Sequence, residues 1–241
     1  MNRRAGRRML LDAFCCAGGA TRGYQDAGFY VVGVDHQDQP DYCGDEFYRG
    51  DAPTFIREHG HRFDVIQACP PCQDKIAITA GNRARPGWTD SHVDLVPPTR
   101  AALAEVRVAT GAVTVMECGV GRHLRRDLQL CGEMFSLGVI RHRDFEIDGA
   151  DVPQPVHVPH RGRVSGMRHG KWYTGPYFQV YGNGGGKGTI SQWQNAMGID
   201  WTADRHTLAE ALPPAYTRHI GTHLMAQLDR RRVTIDLAKA A

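Results

Sequence analysis

Short apolar runs, punctuated by glycine or proline, alternate along this chain with amphipathic stretches. That rhythm predicts an α/β protein. Met9-Leu10-Leu11-Asp12-Ala13-Phe14 reads as a strand, Cys15 to Ala20 as a glycine turn, and the stretch to Gly28 as a helix. Tyr30-Val31-Val32-Gly33-Val34 reads as the next strand, closed by Asp35. Gly50-Asp51-Ala52 leads into a helix from about Pro53 to His59. Phe63 to Cys69 is a largely apolar run that reads as a buried strand, stopped by Pro70-Pro71. Residues 74–98 are polar and rich in glycine and proline, which suits a lid-type loop. A helix from about Thr99 to Thr110 and a strand Ala112 to Met116 follow, the strand ending in Glu117-Cys118-Gly119. Residues 122–137 read as helix and loop, and Gly138 to Ile147 as an alternating strand with Arg141 and Arg143 on one face. Residues 149–206 are irregular and partly β, and Thr207 to Leu228 is helical with an interruption at Pro213-Pro214.

Apolar residues fill 41% of the 241 positions, enough for one sizeable domain or a domain plus a small insertion. No run approaches the ~20 apolar residues of a bilayer span, so no membrane partner is expected. The basic start to Arg8 leads into an apolar run broken at Asp12, a strand rather than a signal peptide. Net charge is only +3, too weak to demand a polyanionic partner. Arginines do gather at residues 3–8, 122–126, 141–143, 161–168 and 230–232, a distribution that suits phosphate contacts as well as solvated basic faces. Seven cysteines, an odd number, fit a reducing cytoplasm better than a disulfide framework. Cys69 and Cys72 form a Cys-x-x-Cys pair without a second pair. His157, His160 and His169 are loosely spaced, and no metal is expected.

The candidate chemistry sits at strand ends. Ligands of open α/β sheets bind at the carboxyl edge, where the Pro-Pro turn leaves Cys72, better placed there for nucleophilic attack than for filling a core. Glu117 ends a neighbouring strand at the same edge, and two reactive side chains there suggest a site. The first turn carries Gly18-Gly19 without G-x-G-x-x-G spacing, which favours a nucleoside cofactor over a dinucleotide. Asp35 is placed to bind ribose hydroxyls. Asp51 is placed to cap its helix or to accept from an adenine amine. Aromatics Trp172, Tyr173, Tyr177, Phe178 and Tyr181 interleave with Arg and Lys, as in nucleic-acid-binding segments.

Taken in order, these motifs resemble those of the DNA cytosine-5 methyltransferases, in a compact form typical of phage genomes. Asp12-Ala13-Phe14-Cys15-Cys16-Ala17-Gly18-Gly19 is similar to the family's cofactor loop, and Cys69-Pro70-Pro71-Cys72-Gln73 to its nucleophile motif. Glu117-Cys118-Gly119-Val120 stands where Glu-Asn-Val is expected, and Arg141-His142-Arg143 where Arg-x-Arg lies. Ala209-Glu210-Ala211-Leu212-Pro213-Pro214 resembles the carboxy-terminal motif that returns to the cofactor pocket. The match covers most of residues 9–148 and 207–225.

The resemblance implies a Rossmann-like, S-adenosylmethionine-dependent methyltransferase fold. Residues 1–148 would be catalytic, 149–206 a reduced target-recognition region, and 207–241 a helix returning to the catalytic part. It implies that Cys72 adds to C6 of a cytosine flipped out of double-stranded DNA, with Glu117 at ring N3, Arg143 at the carbonyl oxygen and Arg141 positioning the base or the thiolate. The implied pocket for S-adenosyl-L-methionine comprises Phe14 stacked on adenine, Ala17, Gly18, Gly19, Asp35 on the ribose, His36, Asp51 on the adenine amine, Ala52, Pro70, Leu95, Glu210 and Ala211. No obligate protein partner is implied. The chain departs from the family at Cys118, where Asn is usual, at Asp74-Lys75, and at Glu210, also an Asn in many members. Three alternatives stand beside methylation of DNA: the same chemistry on RNA, transfer of a modified one-carbon group, and a DNA-binding relative without turnover.

Overall fold

The computed structural model describes residues 6–72, 93–121, 123–182 and 186–240. The elements run β1 (Met9–Ala13), α1 (Gly19–Asp26), β2 (Tyr30–Asp35), β3 (Glu46–Arg49), α2 (Ala52–His59), β4 (Val65–Ala68), α3 (Val96–Thr110), β5 (Val113–Gly119), β6 (Leu128–Leu130) and β7 (Arg143–Asp148). They continue as β8 (Val164–Arg168), β9 (Lys171–Tyr173), β10 (Tyr177–Phe178), α4 (Ile190–Met197), α5 (Arg205–Glu210) and α6 (Pro214–Ala240). Most of the expected lid, with Gln73, Asp74 and Lys75, lies outside the described residues, as do Arg3, Arg4, Arg122 and the glycines at 184 and 185.

Seven strands form one sheet in the order β3-β2-β1-β4-β5-β7-β6. The pairs from β3 through β5 are parallel, and β7 runs antiparallel to both β5 and β6. The central strands are buried on both faces, so they are largely apolar and alternate in which helical layer they meet, with Asp12, Gln67 and Glu117 as buried polar exceptions. Leu10, Val31, Val65 and Val113 pack with Tyr24 of α1 and with Tyr216, Ile220 and Leu224 of α6. Leu11, Val32, Ile66 and Met116 pack on the opposite side with Ile56 of α2 and Leu103 and Val106 of α3. Each large side chain so buried contributes about 1.5–3 kcal/mol.

Strand order reverses between β1 and β4, and the loops after them therefore lie side by side. Ala13 is in register with Ala68, and Cys69 N donates to Ala13 O at 3.1 Å. The start of α6 closes over α1 from the other side. Gly23 makes this approach possible, since a Cβ there would stand 2.0 Å from Pro214 O.

Several elements differ from the sequence expectation. β3 was not foreseen, because a polar edge strand carries no apolar run. Residues 128–130 are a strand, not a helix; Leu128 and Leu130 point inward on either side of Gln129. Pro97 and Pro98 belong to the first turn of α3, where proline costs no hydrogen bond. β7 begins only at Arg143, so Arg141 is not on its face. β8, β9 and β10 form a separate three-stranded sheet. A third apolar cluster, with Val139, Val180, Trp193, Met197 and Leu208, joins this part to α4 and α5.

Candidate active site at the carboxyl edge of the sheet

The glycine turn after β1 is held by main-chain bonds and by one carboxylate. Phe14 N and Cys15 N both donate to Val34 O, at 2.9 and 3.2 Å. Phe14 (φ 60°) and Cys16 (φ 44°) adopt the left-handed region that side chains disfavour, with Gly18 (φ 87°) between them and α1. Asp35, buried at the end of β2, accepts from Cys16 N (3.1 Å) through Oδ2 and from Gln37 N (3.0 Å) through Oδ1. The exposed His36 lies 3.2 Å from Asp35 Oδ1. Asp35 therefore shapes the turn itself.

The other residues of the expected cofactor pocket are distributed around this turn. Ala17 O accepts from Trp201 Nε1 at 2.8 Å. Ala211 and Leu212 pack on Gly19, where a Cβ would meet Leu212 O at 2.4 Å. Glu210, exposed at the end of α5, is near enough that its charge helps to raise the Cys16 thiol to about 12, after burial and the charge of Asp35. Gly50 N donates to Asp35 O at 2.8 Å, which brings Asp51 and the buried Ala52 to the end of β2. Asp51 caps α2: its Oδ1 accepts from Thr54 N at 3.0 Å and Thr54 Oγ1 at 2.6 Å. Pro70 is buried beyond β4, and Leu95 stands half-buried just ahead of α3.

Sequence reasoning passed over Asp12 as a residue of this site. It is fully buried beneath the turn, with Oδ2 accepting from Thr21 Oγ1 at 2.6 Å and Oδ1 without a donor among the described residues. Burial pushes its carboxyl up to about 7, against the hydrogen bonds from Thr21 and with the help of the Asp35 charge. The signal was visible: an acidic residue inside an otherwise apolar strand.

The second loop carries Cys72, half-buried and packed on the same apolar cluster that Phe14 borders. A hydrogen bond from the Cys118 thiol lowers its pKa most; burial and the Glu117 charge oppose this, while Gly119 N–H and the Arg143 charge assist it. Cys118 correspondingly stays a thiol, held up by that same bond and by burial. Cys69 behaves oppositely to Cys72. Burial and the Glu117 charge raise it, and Gln67 Nε2 lies 3.2 Å from its sulfur. The Cys-x-x-Cys pair thus holds one thiol that favours the anion and one that resists it.

Glu117 lies two residues before the end of β5 and is buried; burial raises its pKa, and Arg143 and Arg141 oppose that rise. Register explains its partner. Glu117 is paired with Phe145, so Arg143 is its diagonal neighbour on β7. Arg143 Nε lies 2.8 Å from Glu117 Oε1, yet that oxygen lacks a well-directed donor. It is a buried acceptor with a charge beside it and no aligned hydrogen bond.

Arg141, expected to position the base or the thiolate, is close enough for its charge to act on Glu117, while its hydrogen bonds go to main-chain carbonyls. Its guanidinium is buried and donates to Val180 O and Ala209 O, both at 2.7 Å, while Tyr216 Oη donates to Arg141 O at 2.6 Å. A buried cation needs acceptors, and these carbonyls supply them. Arg141 ties α5, α6 and the small sheet to the chain just ahead of Arg143.

The small sheet gathers the interleaved aromatics and cations. Arg163, Arg168 and Lys171 surround the Tyr173 ring at 5.0, 6.0 and 5.8 Å, and Lys187 lies 4.2 Å from the Tyr181 ring. Trp172, Tyr181 and Met167 are exposed beside them. A patch of this kind can meet both phosphates and unstacked bases.

No family model and no curated protein matches the chain. Solved structures do. The S. pombe Dnmt2 methyltransferase is similar over 92% of this chain and 99% of its own, with TM-score 0.60 and 9% identity. The Entamoeba histolytica methyltransferase EhMeth matches over the same shares, 92% and 99%, with TM-score 0.51 and 8% identity. A chain assigned as a DNA modification methyltransferase of an E. coli prophage matches with TM-score 0.41 and 15% identity over 58% of this chain; this chain spans 46% of that one. The fold is the Rossmann-like fold of methyltransferases. At such low identity the likeness is one of architecture, and the chemistry rests on the residues above. No helix among the described residues is long and apolar enough to cross a membrane.

Proposed function

We propose that this chain is a cytosine-5 methyltransferase acting on DNA, with S-adenosyl-L-methionine as methyl donor. The observation that carries the reading is the meeting of Cys72, Glu117 and Arg143 at one sheet edge, with Cys72 the thiol whose surroundings favour the anion. C5 of cytosine is a weak nucleophile. Addition of the Cys72 thiolate to C6 turns C5 into an enamine-type carbon. Glu117, whose burial favours the protonated form, donates to ring N3 as negative charge builds there, and Arg143 holds the carbonyl oxygen. After methylation at C5, the C5 proton leaves to solvent, the C6–S bond breaks to return the thiolate, and ring N3 gives its proton back to Glu117. This chemistry requires the base to leave the duplex.

The glycine turn suits a charged nucleoside cofactor. Two buried polar atoms near it, Asp12 Oδ1 and Arg22 Nε, have no hydrogen-bond partner among the described residues. Phe14 offers a half-buried ring, with Asp35, His36 and Asp51 at the neighbouring strand ends. When bound, the sulfonium supplies an electrophilic methyl group. Phe14, Ala17, Gly18, Gly19, Ala52, Pro70, Leu95, Glu210 and Ala211 complete the proposed pocket. Residues 149–206 serve as the reduced target-recognition region, with the Tyr173 cluster facing the nucleic acid.

Incubation with S-adenosylmethionine and DNA carrying 5-fluorocytosine tests this reading. A covalent adduct through Cys72, mapped by mass spectrometry, is the expected result. Methylation of matched RNA but not DNA would move the substrate, and an added mass other than CH2 in product nucleosides would change the donor. A protein that binds DNA without adduct or product would overturn the assignment.

A further inference from the structure

Four side chains from three separate segments of the chain converge outside the proposed active site. Cys131 follows β6, His142 immediately precedes β7, and His157 and His160 lie in the proline-containing connection that follows β7. One ligand atom from each comes within 4.8 Å of all the others. Cys131 Sγ lies 3.5 Å from His160 Nε2, and His142 Nε2 lies 3.2 Å from His157 Nε2. A tetrahedral zinc ion with Zn–S of about 2.3 Å and Zn–N of about 2.0–2.1 Å requires S···N separations of roughly 3.6 Å and N···N separations of roughly 3.4 Å. The two shortest contacts here are already at those edges.

We propose that Cys131, His142, His157 and His160 bind one zinc ion as a closed, structural site. One thiolate and three imidazoles are a borderline-soft donor set that suits zinc, and four protein ligands leave no position for catalysis. Surrounding groups support the ligands. The His160 ring stands edge-on to Tyr177 at 6.0 Å, Tyr177 Oη donates to Glu133 Oε2 at 2.5 Å, and Arg161 Nε lies 2.8 Å from Glu133 Oε1. Such outer contacts orient ligands.

The site gives the connection after β7 an anchor. Residues 149–163 have no regular structure, and prolines at 153, 155 and 159 exclude them from a ladder. The ion would cross-link them to the far edge of the sheet and hold His142, the residue between Arg141 and Arg143. The proposal is independent of methyl transfer.

The test is metal content of untagged protein expressed with zinc. One equivalent of zinc per chain is expected after gel filtration, and roughly tenfold or weaker retention against a chelating dye in His157→Ala and His160→Ala. Both histidines are exposed, so these variants are expected to fold; His169→Ala, outside the cluster, should retain wild-type zinc. Cobalt substitution should produce intense tetrahedral bands and a thiolate charge-transfer band that Cys131→Ser removes. Zinc content equal in wild type and His157→Ala, or a cobalt spectrum without the thiolate band in wild type, would overturn the site. In that event the 3.2 Å His142–His157 contact is a plain hydrogen bond between imidazoles.

Discussion

Cys118 follows Glu117 on β5, and its thiol stands beside the sulfur of Cys72, so that the proton held by Cys118 lowers the pKa of Cys72 and raises its own. Cys118 occupies the position where the resembling family carries Asn. A side chain that looks like a loss by sequence pattern therefore supplies a donor to the proposed nucleophile.

Cys118→Ala should remove that donor. A hydrogen bond to a charged group contributes about 1.5–3 kcal/mol, so alkylation of Cys72 near neutral pH should slow roughly tenfold or more, and its pH profile should move to higher pH. Site-resolved mass spectrometry after iodoacetamide pulses reads Cys72 separately from the other thiols. An unchanged Cys72 profile would remove Cys118 from its activation.

Cys72→Ser should lower methyl transfer by at least ~10³-fold while cofactor binding stays within a few-fold, because a hydroxyl lacks the thiolate's nucleophilicity. Product formation with S-adenosylmethionine and isothermal titration of the cofactor separate the two effects. Turnover close to wild type in this variant would rule out the covalent route.

Asp12 predicts a pH dependence of stability. Its carboxyl is at about 7 in the folded chain against an ordinary 3.8. A raised folded value means that this contribution is complete below about 3.8 and is lost as pH rises through about 7. The wild-type thermal midpoint should therefore fall between pH 4 and pH 7 by a component worth at most ~4 kcal/mol. Asp12→Asn should flatten that slope. Equal slopes in the two proteins would show that Asp12 ionises freely.

Arg141→Met should destabilise the fold by roughly 2–5 kcal/mol, since the carbonyls of Val180 and Ala209 would lose buried donors. The urea midpoint reads this directly. Loss of turnover at unchanged stability would instead return Arg141 to the proposed base site.

Arg168→Ala with Lys171→Ala should weaken DNA binding at low salt and reduce the slope of log K against log salt by about 2. Fluorescence anisotropy over a salt series measures both. An unaltered slope would place the phosphates elsewhere.

The apolar runs of β1, β2, β4 and β5 and the punctuation after each were legible in the chain because a strand buried on both faces is largely apolar. The same runs located the carboxyl edge, and with it the glycine turn, Cys72 and Glu117. Edge strands β3 and β6 were not legible, since their pairing depends on a neighbour rather than on their own composition. The long-range pairings came only with the fold. Arg143 meets Glu117 through an antiparallel register, Arg141 turns inward to carbonyls of two distant segments, and Cys131 meets three histidines over separations of 11 to 29 residues. Local pattern encodes which face of an element is buried; it carries no record of which distant side chains that burial brings within reach.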